Sequence, residues 1–119
     1  MAAPREVVLI FDRFTRPNKP KRHICVCDQL QFFLRINSEP LYRPVHRILR
    51  ANNPSFLTHD SYVELTQLVR HVADDIANAK HLGIMSMNEA RKLVAAAEQA
   101  ATLSEEHKQI IRERLLAEG

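Results

Sequence analysis

Short hydrophobic runs separated by polar and proline-containing segments dominate the first half of the chain. The runs are rich in β-branched and aromatic residues, a composition typical of buried strands. Strands are therefore predicted at residues 6–11, 23–27, 31–37 and 62–65. A weaker apolar stretch at residues 45–49 fits either one more strand or a short helix.

Helical spacing of apolar residues replaces this pattern in the second half of the chain. In residues 66–82 the apolar positions recur every three or four residues, which predicts a helix that stops at Gly83. Residues 86–101 predict a second helix, because they open with the Ser-x-x-Glu pattern of a capping box. A similar box at residues 102–105 predicts the start of a last helix.

Strands followed by helices indicate an α+β fold. The 119 residues are enough for one domain and too few for two independent cores. We expect residues 1–82 to form a β-rich body that includes the first helix, with residues 83–119 as a helical extension packed on it. Because no apolar run approaches the ~20 residues of a bilayer crossing and no signal-peptide pattern is present, we expect a cytoplasmic protein with no membrane partner.

Composition and charge restrict the chemistry. The chain has two glycines, which excludes the glycine-rich phosphate loops of dinucleotide-binding and P-loop proteins. Residues 1–59 contain ten Lys and Arg against four Asp and Glu, whereas residues 60–119 contain seven against ten. The basic half favours a polyanionic partner, and a merely solvated basic surface is the alternative.

Basic residues concentrate in the loop between the first two predicted strands. Several cations on one loop can neutralise adjacent phosphates and release their counterions. Arg22 stands where this loop enters an apolar strand, and its planar guanidinium suits a phosphoryl oxygen. The loop's basic residues are Arg13, Arg16, Lys19, Lys21 and Arg22.

Strand alternation predicts that His23, Cys25 and Cys27 share one face of the second strand. A tetrahedral zinc site needs a fourth ligand and a tight turn between its cysteines, and neither is present in this segment. Cysteines two positions apart on one strand are also poorly placed for a disulfide. We therefore expect buried free thiols, with no metal and no cofactor.

Two further polar groups follow or precede predicted strands. Asn37 and Ser38 end the third strand, where an amide and a hydroxyl can lie beside a phosphate or simply form a turn. His59 and Asp60 precede the last predicted strand. A histidine there can act as an acid or base near neutral pH, and the aspartate can orient it or cap a turn.

In this order, the segments resemble the MazF/PemK toxin family. Residues 5–11 are similar to the family's opening strand, and residues 21–27 are similar to its second strand, in which Arg22 matches the family's arginine. Residues 34–38 resemble the strand that ends in a threonine in the family and in Asn37 here. Residues 56–68 resemble the segment Leu-x-x-Asp-Ser-x-Val that leads into the family's helices.

The resemblance implies a small SH3-like (PemK-like) β-barrel followed by a C-terminal helical segment. It also implies metal-independent cleavage of single-stranded RNA that leaves a 2′,3′-cyclic phosphate and a 5′-hydroxyl. Arg22 is then the cation on the phosphate and a candidate acid for the leaving oxygen. Asn37 with Ser38 takes the threonine's position, and Asp60 matches a polar position of the family. His59 is a candidate acid or base on its chemistry alone. The expected RNA contacts are Arg13, Arg16, Lys19, Lys21 and Arg35.

The resemblance further implies a homodimeric endoribonuclease toxin whose partners are single-stranded RNA and a cognate acidic antitoxin. Two alternatives remain. One is a toxin of the same fold that inhibits a protein such as DNA gyrase, and the other is a module that binds nucleic acid without cleaving it. Asn37 favours these alternatives, because an amide cannot take over the proton-transfer role of a hydroxyl.

Overall fold

The computed structural model describes residues 2–117 of the chain. The strands are β1 (Glu6–Asp12), β2 (Lys19–Cys27), β3 (Phe32–Asn37), β4 (Val45–Ile48), β5 (Ser61–Glu64) and β6 (Lys80–Ile84). The helices are α1 (Ala73–Ala77), α2 (Met87–Glu98) and α3 (Glu105–Leu115), and a 3-10 turn at Arg50–Asn52 connects β4 to β5. The α+β class is confirmed, and the uncertain stretch at residues 45–49 is a strand.

All six strands form one antiparallel sheet in the order β4-β5-β3-β2-β1-β6. The first three strands follow one another as hairpins, whereas β5 inserts between β3 and β4, and β6 returns to the free side of β1. Within residues 2–117 the edge strands β4 and β6 do not pair with each other, so the sheet is open. A closed SH3-like barrel is therefore not confirmed.

The side of the sheet that faces α2 and α3 forms the main core. Val7, Ile24, Leu34 and Val63 come from four strands, and each is 0% exposed. Full burial of one such side chain stabilises the fold by about 1.5–3 kcal/mol. These side chains form one apolar cluster with helix residues, which include Ala90, Leu93, Ala97, Ile111 and Leu115.

Serine caps begin both long helices. The Ser86 hydroxyl accepts a hydrogen bond from the backbone N–H of Glu89 at 3.2 Å, which confirms the first capping box. The second cap is Ser104, which accepts from the N–H of His107. The predicted box began two residues too early, because Thr102 instead donates its hydroxyl to the carbonyl oxygen of Leu65. That bond fastens the turn between α2 and α3 to the end of β5.

The helix predicted over residues 66–82 is wrong. Leu68 packs into the main core, while its neighbour Val69 packs into a second apolar cluster on the opposite side of the sheet. Val69 also exchanges two backbone hydrogen bonds with Phe33 of β3, both at 2.9 Å. Only Ala73–Ala77 is helical, because the rest of the segment pairs with or crosses the sheet.

Gly83 lies inside β6 rather than at a helix terminus. A Cβ atom at this position would clash with the hydroxyl and crowd the Cβ of Ser55, so the absence of a side chain at Gly83 leaves room for the Ser55 side chain. The boundary that we placed after residue 82 falls inside this strand.

A β-bulge separates the two cysteines of β2. Because the register shifts between Cys25 and Cys27, Cys27 joins the main core while Cys25 faces the second cluster. The prediction that both share a face with His23 is therefore wrong for Cys27. Both thiols are free and buried, as predicted, and burial raises the pKa of Cys25 to about 12.

Polar side chains from four strands meet on the face of the sheet opposite the long helices. We call this set the polar strip, and contacts between its members connect it across the sheet. Its members are Asp12, Lys21, His23, Arg35, Asn37 and Glu64. None of the helices in residues 2–117 has the length and apolar content needed to cross a membrane.

Candidate functional site

A cleft of about 240 Å³ opens at one end of the polar strip. It contains four of the five candidate catalytic residues, namely Arg22, Asn37, Ser38 and His59. The other residues that line it are Lys19, Pro20, Lys21, Ile36, Leu41 and Ser61. The structure therefore brings together side chains that are up to 42 positions apart in the chain, from Lys19 to Ser61.

Antiparallel pairing of β2, β3 and β5 places these residues side by side. Arg22 near the start of β2 lies opposite Ile36 near the end of β3. Asn37, which ends β3, lies opposite Tyr62 at the start of β5. The starts of β2 and β5 and the end of β3 thus lie at the same end of the sheet. The rigid sheet fixes the spacing of their side chains.

The guanidinium of Arg22 is held from one side. Its Nε donates a hydrogen bond to the carbonyl oxygen of Phe56 at 2.8 Å. Among residues 2–117, neither of its terminal nitrogens has a hydrogen bond or an ion pair. The anchored guanidinium therefore keeps the two-pronged donor edge that binds phosphoryl oxygens.

His59 has a defined tautomer in the cleft. Its Nδ1 faces the carbonyl oxygen of Asp60 and the hydroxyl oxygen of Ser61, both at 3.1 Å. The hydroxyl of Ser61 in turn donates to the carbonyl oxygen of His59. Because Nδ1 faces acceptors, we assign the hydrogen of the neutral ring to it, which leaves a lone pair on Nε2. An exposed histidine in this tautomer can take a proton from a bound hydroxyl.

A chain of hydrogen bonds orders the floor of the cleft. Lys21 Nζ donates to Asn37 Oδ1 at 3.1 Å, and Asn37 Nδ2 donates to Glu64 Oε1 at 3.3 Å. Burial and the neighbouring charge of Lys19 lower the pKa of Lys21. Asn37 is 5% exposed, and both its amide oxygen and its amide nitrogen are hydrogen-bonded, so it positions Lys21. Its neighbour Ser38 is exposed and offers a hydroxyl to the cleft.

Asp60 lies outside the cleft. Its carboxylate contacts Arg47 at 3.1 Å and accepts a hydrogen bond from the backbone N–H of Arg50 at 2.8 Å. These contacts tie the segment before β5 to β4 and to the 3-10 turn. The structure thus places Asp60 as a support beside His59 rather than as a group that faces a substrate.

The remaining cations predicted to contact RNA also lie outside this cleft. Arg13 forms a two-bond ion pair with Asp75 of α1, at 2.6 and 3.0 Å. Arg35 is buried and holds Asp12 with two hydrogen bonds, at 2.6 and 3.3 Å. Arg16 lines a second cleft of about 480 Å³. Of the five predicted contacts, only Lys19 and Lys21 line the cleft itself.

Sequence reasoning missed the buried half of the polar strip. Burial alone would raise the pKa of Asp12, but its contacts with His23 and Arg35 hold it well below its usual range. His71 contacts His23, and burial lowers the pKa of His71 to about 4, so its ring is neutral at pH 7. The alternation along β1 could have predicted that Asp12 is buried, because Asp12 shares a face of the strand with the buried Val8 and Ile10.

Comparison with known proteins adds no assignment to this geometry. No family model, no curated protein and no solved structure matches the chain.

Proposed function

We propose that the chain is an endoribonuclease that cleaves single-stranded RNA at the cleft formed by β2, β3 and β5. The observation that carries this proposal is the convergence of Arg22, Lys21 and His59 on one small cleft. Two fixed cations suit a phosphodiester, and a histidine whose Nδ1 faces hydrogen-bond acceptors can turn its Nε2 to a ribose hydroxyl.

The chemistry follows from these three side chains. His59 Nε2 takes the proton of the ribose 2′-hydroxyl, and the resulting oxygen attacks the adjacent phosphorus. Arg22 stabilises the negative charge that develops on the phosphoryl oxygens. The bond from phosphorus to the 5′ oxygen breaks, and the Lys21 ammonium is the candidate acid that protonates the departing oxygen. The products are a 2′,3′-cyclic phosphate and a 5′-hydroxyl, with no metal ion taking part in the reaction.

The resemblance to the MazF/PemK family extends the proposal to a biological role. We propose a toxin with an SH3-like sheet, active as a homodimer on cytoplasmic RNA and blocked by an acidic antitoxin. The proposal of an acidic inhibitor is supported by the cations of the cleft, because a carboxylate-rich segment can bind them in place of the RNA phosphates.

Cleavage of an end-labelled single-stranded RNA by the full-length protein in EDTA tests this proposal. We expect Arg22→Gln to reduce the rate by roughly 10²–10³-fold, the loss typical of one donor to a developing oxyanion. Arg91→Gln is the matched control, because Arg91 is exposed on α2 and far in the chain from the cleft residues. Equal rates for the two variants, or intact RNA with the unaltered protein, would reject the proposal.

Asn37 gives specific support to a second candidate, RNA binding without cleavage. Its amide is bonded to Lys21 and Glu64, so the position that the family fills with a threonine offers no hydroxyl. RNA that is retained by the protein in gel shifts but stays intact would favour this second candidate.

A further inference from the structure

Three potential metal-ligand atoms converge where His71 packs against the buried part of the polar strip, apart from the cleft. One carboxylate oxygen of Asp12 and one ring nitrogen each of His23 and His71 all lie within 4.8 Å of one another. They come from the end of β1, from β2 and from the segment between β5 and α1. All three residues are buried, at 0%, 0% and 5% exposure.

With both histidine rings neutral, hydrogen atoms do not fill every contact in this cluster. His23 Nδ1 lies 2.8 Å from the carbonyl oxygen of Lys21, so Nδ1 carries the hydrogen of the neutral ring. His23 Nε2 then presents a lone pair to the Asp12 carboxylate at 3.4 Å and to His71 Nε2 at 2.9 Å. A hydrogen on His71 Nε2 can fill the contact between the two histidines, but no hydrogen then lies between the lone pair of His23 Nε2 and the Asp12 carboxylate.

We propose that a divalent transition-metal ion of the Zn²⁺ type binds at this point, held by Asp12, His23 and His71. Ligands about 2.0–2.1 Å from a tetrahedral Zn²⁺ lie roughly 3.3 Å from one another, close to the 2.9 and 3.4 Å separations in this cluster. Two imidazoles and one carboxylate select Zn²⁺ or a similar transition metal over Mg²⁺ and Ca²⁺, which prefer all-oxygen sites.

The surroundings of two of the ligands match those of metal-bound side chains. A metal-binding histidine usually donates its other N–H to a carbonyl or carboxylate, as His23 does to Lys21. Arg35 donates two hydrogen bonds to the Asp12 carboxylate, which fixes its orientation. An ionised carboxylate has about four lone-pair sites, so these bonds leave capacity for a metal.

The second cleft is separated from the cluster by the side chains of Phe14 and Arg35, which contact His71 and Asp12. Phe14 packs against His71 with ring centroids 5.9 Å apart, and Phe14 is 63% exposed in the β1–β2 loop. Phe14 and Arg35 both line the cleft of about 480 Å³. Movement of the Phe14 ring would admit the ion and a water molecule as the fourth ligand. The bound ion would tie the β5–α1 segment to β1 and β2, a structural role that does not depend on RNA cleavage.

Titration of the chelator-stripped, full-length protein with Zn²⁺ or Co²⁺ tests the site. We expect one ion per chain, a rise in Tm on Zn²⁺ addition, and a Co²⁺ absorption spectrum typical of mixed nitrogen and oxygen ligands. His71→Phe keeps an aromatic ring beside Phe14, and it should weaken binding by more than the roughly 10–100-fold that loss of an outer hydrogen-bond partner costs. His81→Gln, which removes an exposed histidine paired with Glu6, should leave affinity unchanged.

Three results would overturn the proposal. They are the absence of stoichiometric Zn²⁺ binding by the unaltered protein, equal affinity in His71→Phe, and loss of binding in His81→Gln. If His71→Phe does not fold, ¹⁵N NMR of the unaltered protein decides instead. Zn²⁺ must then shift the Nε2 resonances of His23 and His71, whereas unchanged resonances would show that only a proton occupies the cluster.

Discussion

Replacing Arg35 by methionine should destabilise the whole fold rather than selectively weaken RNA binding. The Arg35 side chain is 10% exposed, and its partner Asp12 is 0% exposed. Its guanidinium also lies 3.9 Å from a carboxylate oxygen of Glu64, which is itself buried. Removal of the arginine would leave two buried carboxylates without their neutralising cation, while methionine preserves most of the side-chain volume.

The size of the expected loss in the free energy of unfolding follows from this burial. Breaking a buried ion pair by removing one partner costs about 3–5 kcal/mol. That is a large fraction of the roughly 5–15 kcal/mol that stabilises a typical domain. At roughly 4 °C per kcal/mol for a chain of this size, Tm should fall by about 12–20 °C.

Urea unfolding monitored by circular dichroism, with EDTA present throughout, measures the effect of Arg35→Met. Arg13→Met is the comparison, because Arg13 pairs with Asp75 from a side chain that is 53% exposed, and it should lose much less stability. Adding Asp12→Asn to Arg35→Met should recover part of the loss, since it removes one of the unpaired charges. Equal stability of Arg35→Met and the unaltered protein would show that Arg35 is not needed to neutralise the buried carboxylates of Asp12 and Glu64.

Three other substitutions test separate parts of the structure. Lys21→Gln should weaken RNA binding and reduce the slope of log affinity against log salt concentration by about 0.7, the share of one phosphate contact on a single strand. Gly83→Ala should destabilise the fold by about 1–3 kcal/mol through overpacking, and Gly83→Ala/Ser55→Gly should restore part of this. Burial lowers the pKa of His46, so protonation favours the unfolded state and stability should fall as pH drops below about 6.5. His46→Gln should flatten that decline between pH 7 and pH 5.

Each of these predictions has a contradicting result. An unchanged salt slope in Lys21→Gln would place Lys21 away from the phosphates. Full stability in Gly83→Ala, measured by urea unfolding, would contradict the close approach to Ser55. An identical pH profile of stability in His46→Gln would show that His46 is not a source of the acid sensitivity.

Local sequence patterns predicted the strands of the hairpins and the two long helices. The alternation around Leu34 and Ile36 identifies β3, and the serine cap at Ser86 identifies the start of α2 within one residue. These signals succeed because strand alternation and helix capping depend on neighbouring residues. The candidate residues Arg22 and His59 were identified one at a time, but their convergence depends on pairing through β3.

Long-range pairing explains what the sequence did not reveal. In residues 66–82, apolar spacing also fits a helix, and only contact with distant strands shows that Leu68 and Val69 serve opposite sides of the sheet. Arg35 alternates with buried residues, so its position alone indicates a solvent-facing side chain. It is buried because residues from the β5–α1 segment cover that face and because Asp12, 23 positions away, supplies the matching charge.

Cleavage of an RNA in which a single 2′-hydroxyl is replaced by hydrogen tests whether the cleft cuts RNA through attack by that hydroxyl. The unaltered protein in EDTA should cut the all-ribose RNA, leaving a 2′,3′-cyclic phosphate, and should fail at the site where the 2′-hydroxyl is missing. His59→Gln should lose the same cleavage on the all-ribose RNA. Cleavage that persists at the deoxy position, or all-ribose RNA that remains intact, would contradict an RNA-cleaving cleft built from Arg22, Lys21 and His59.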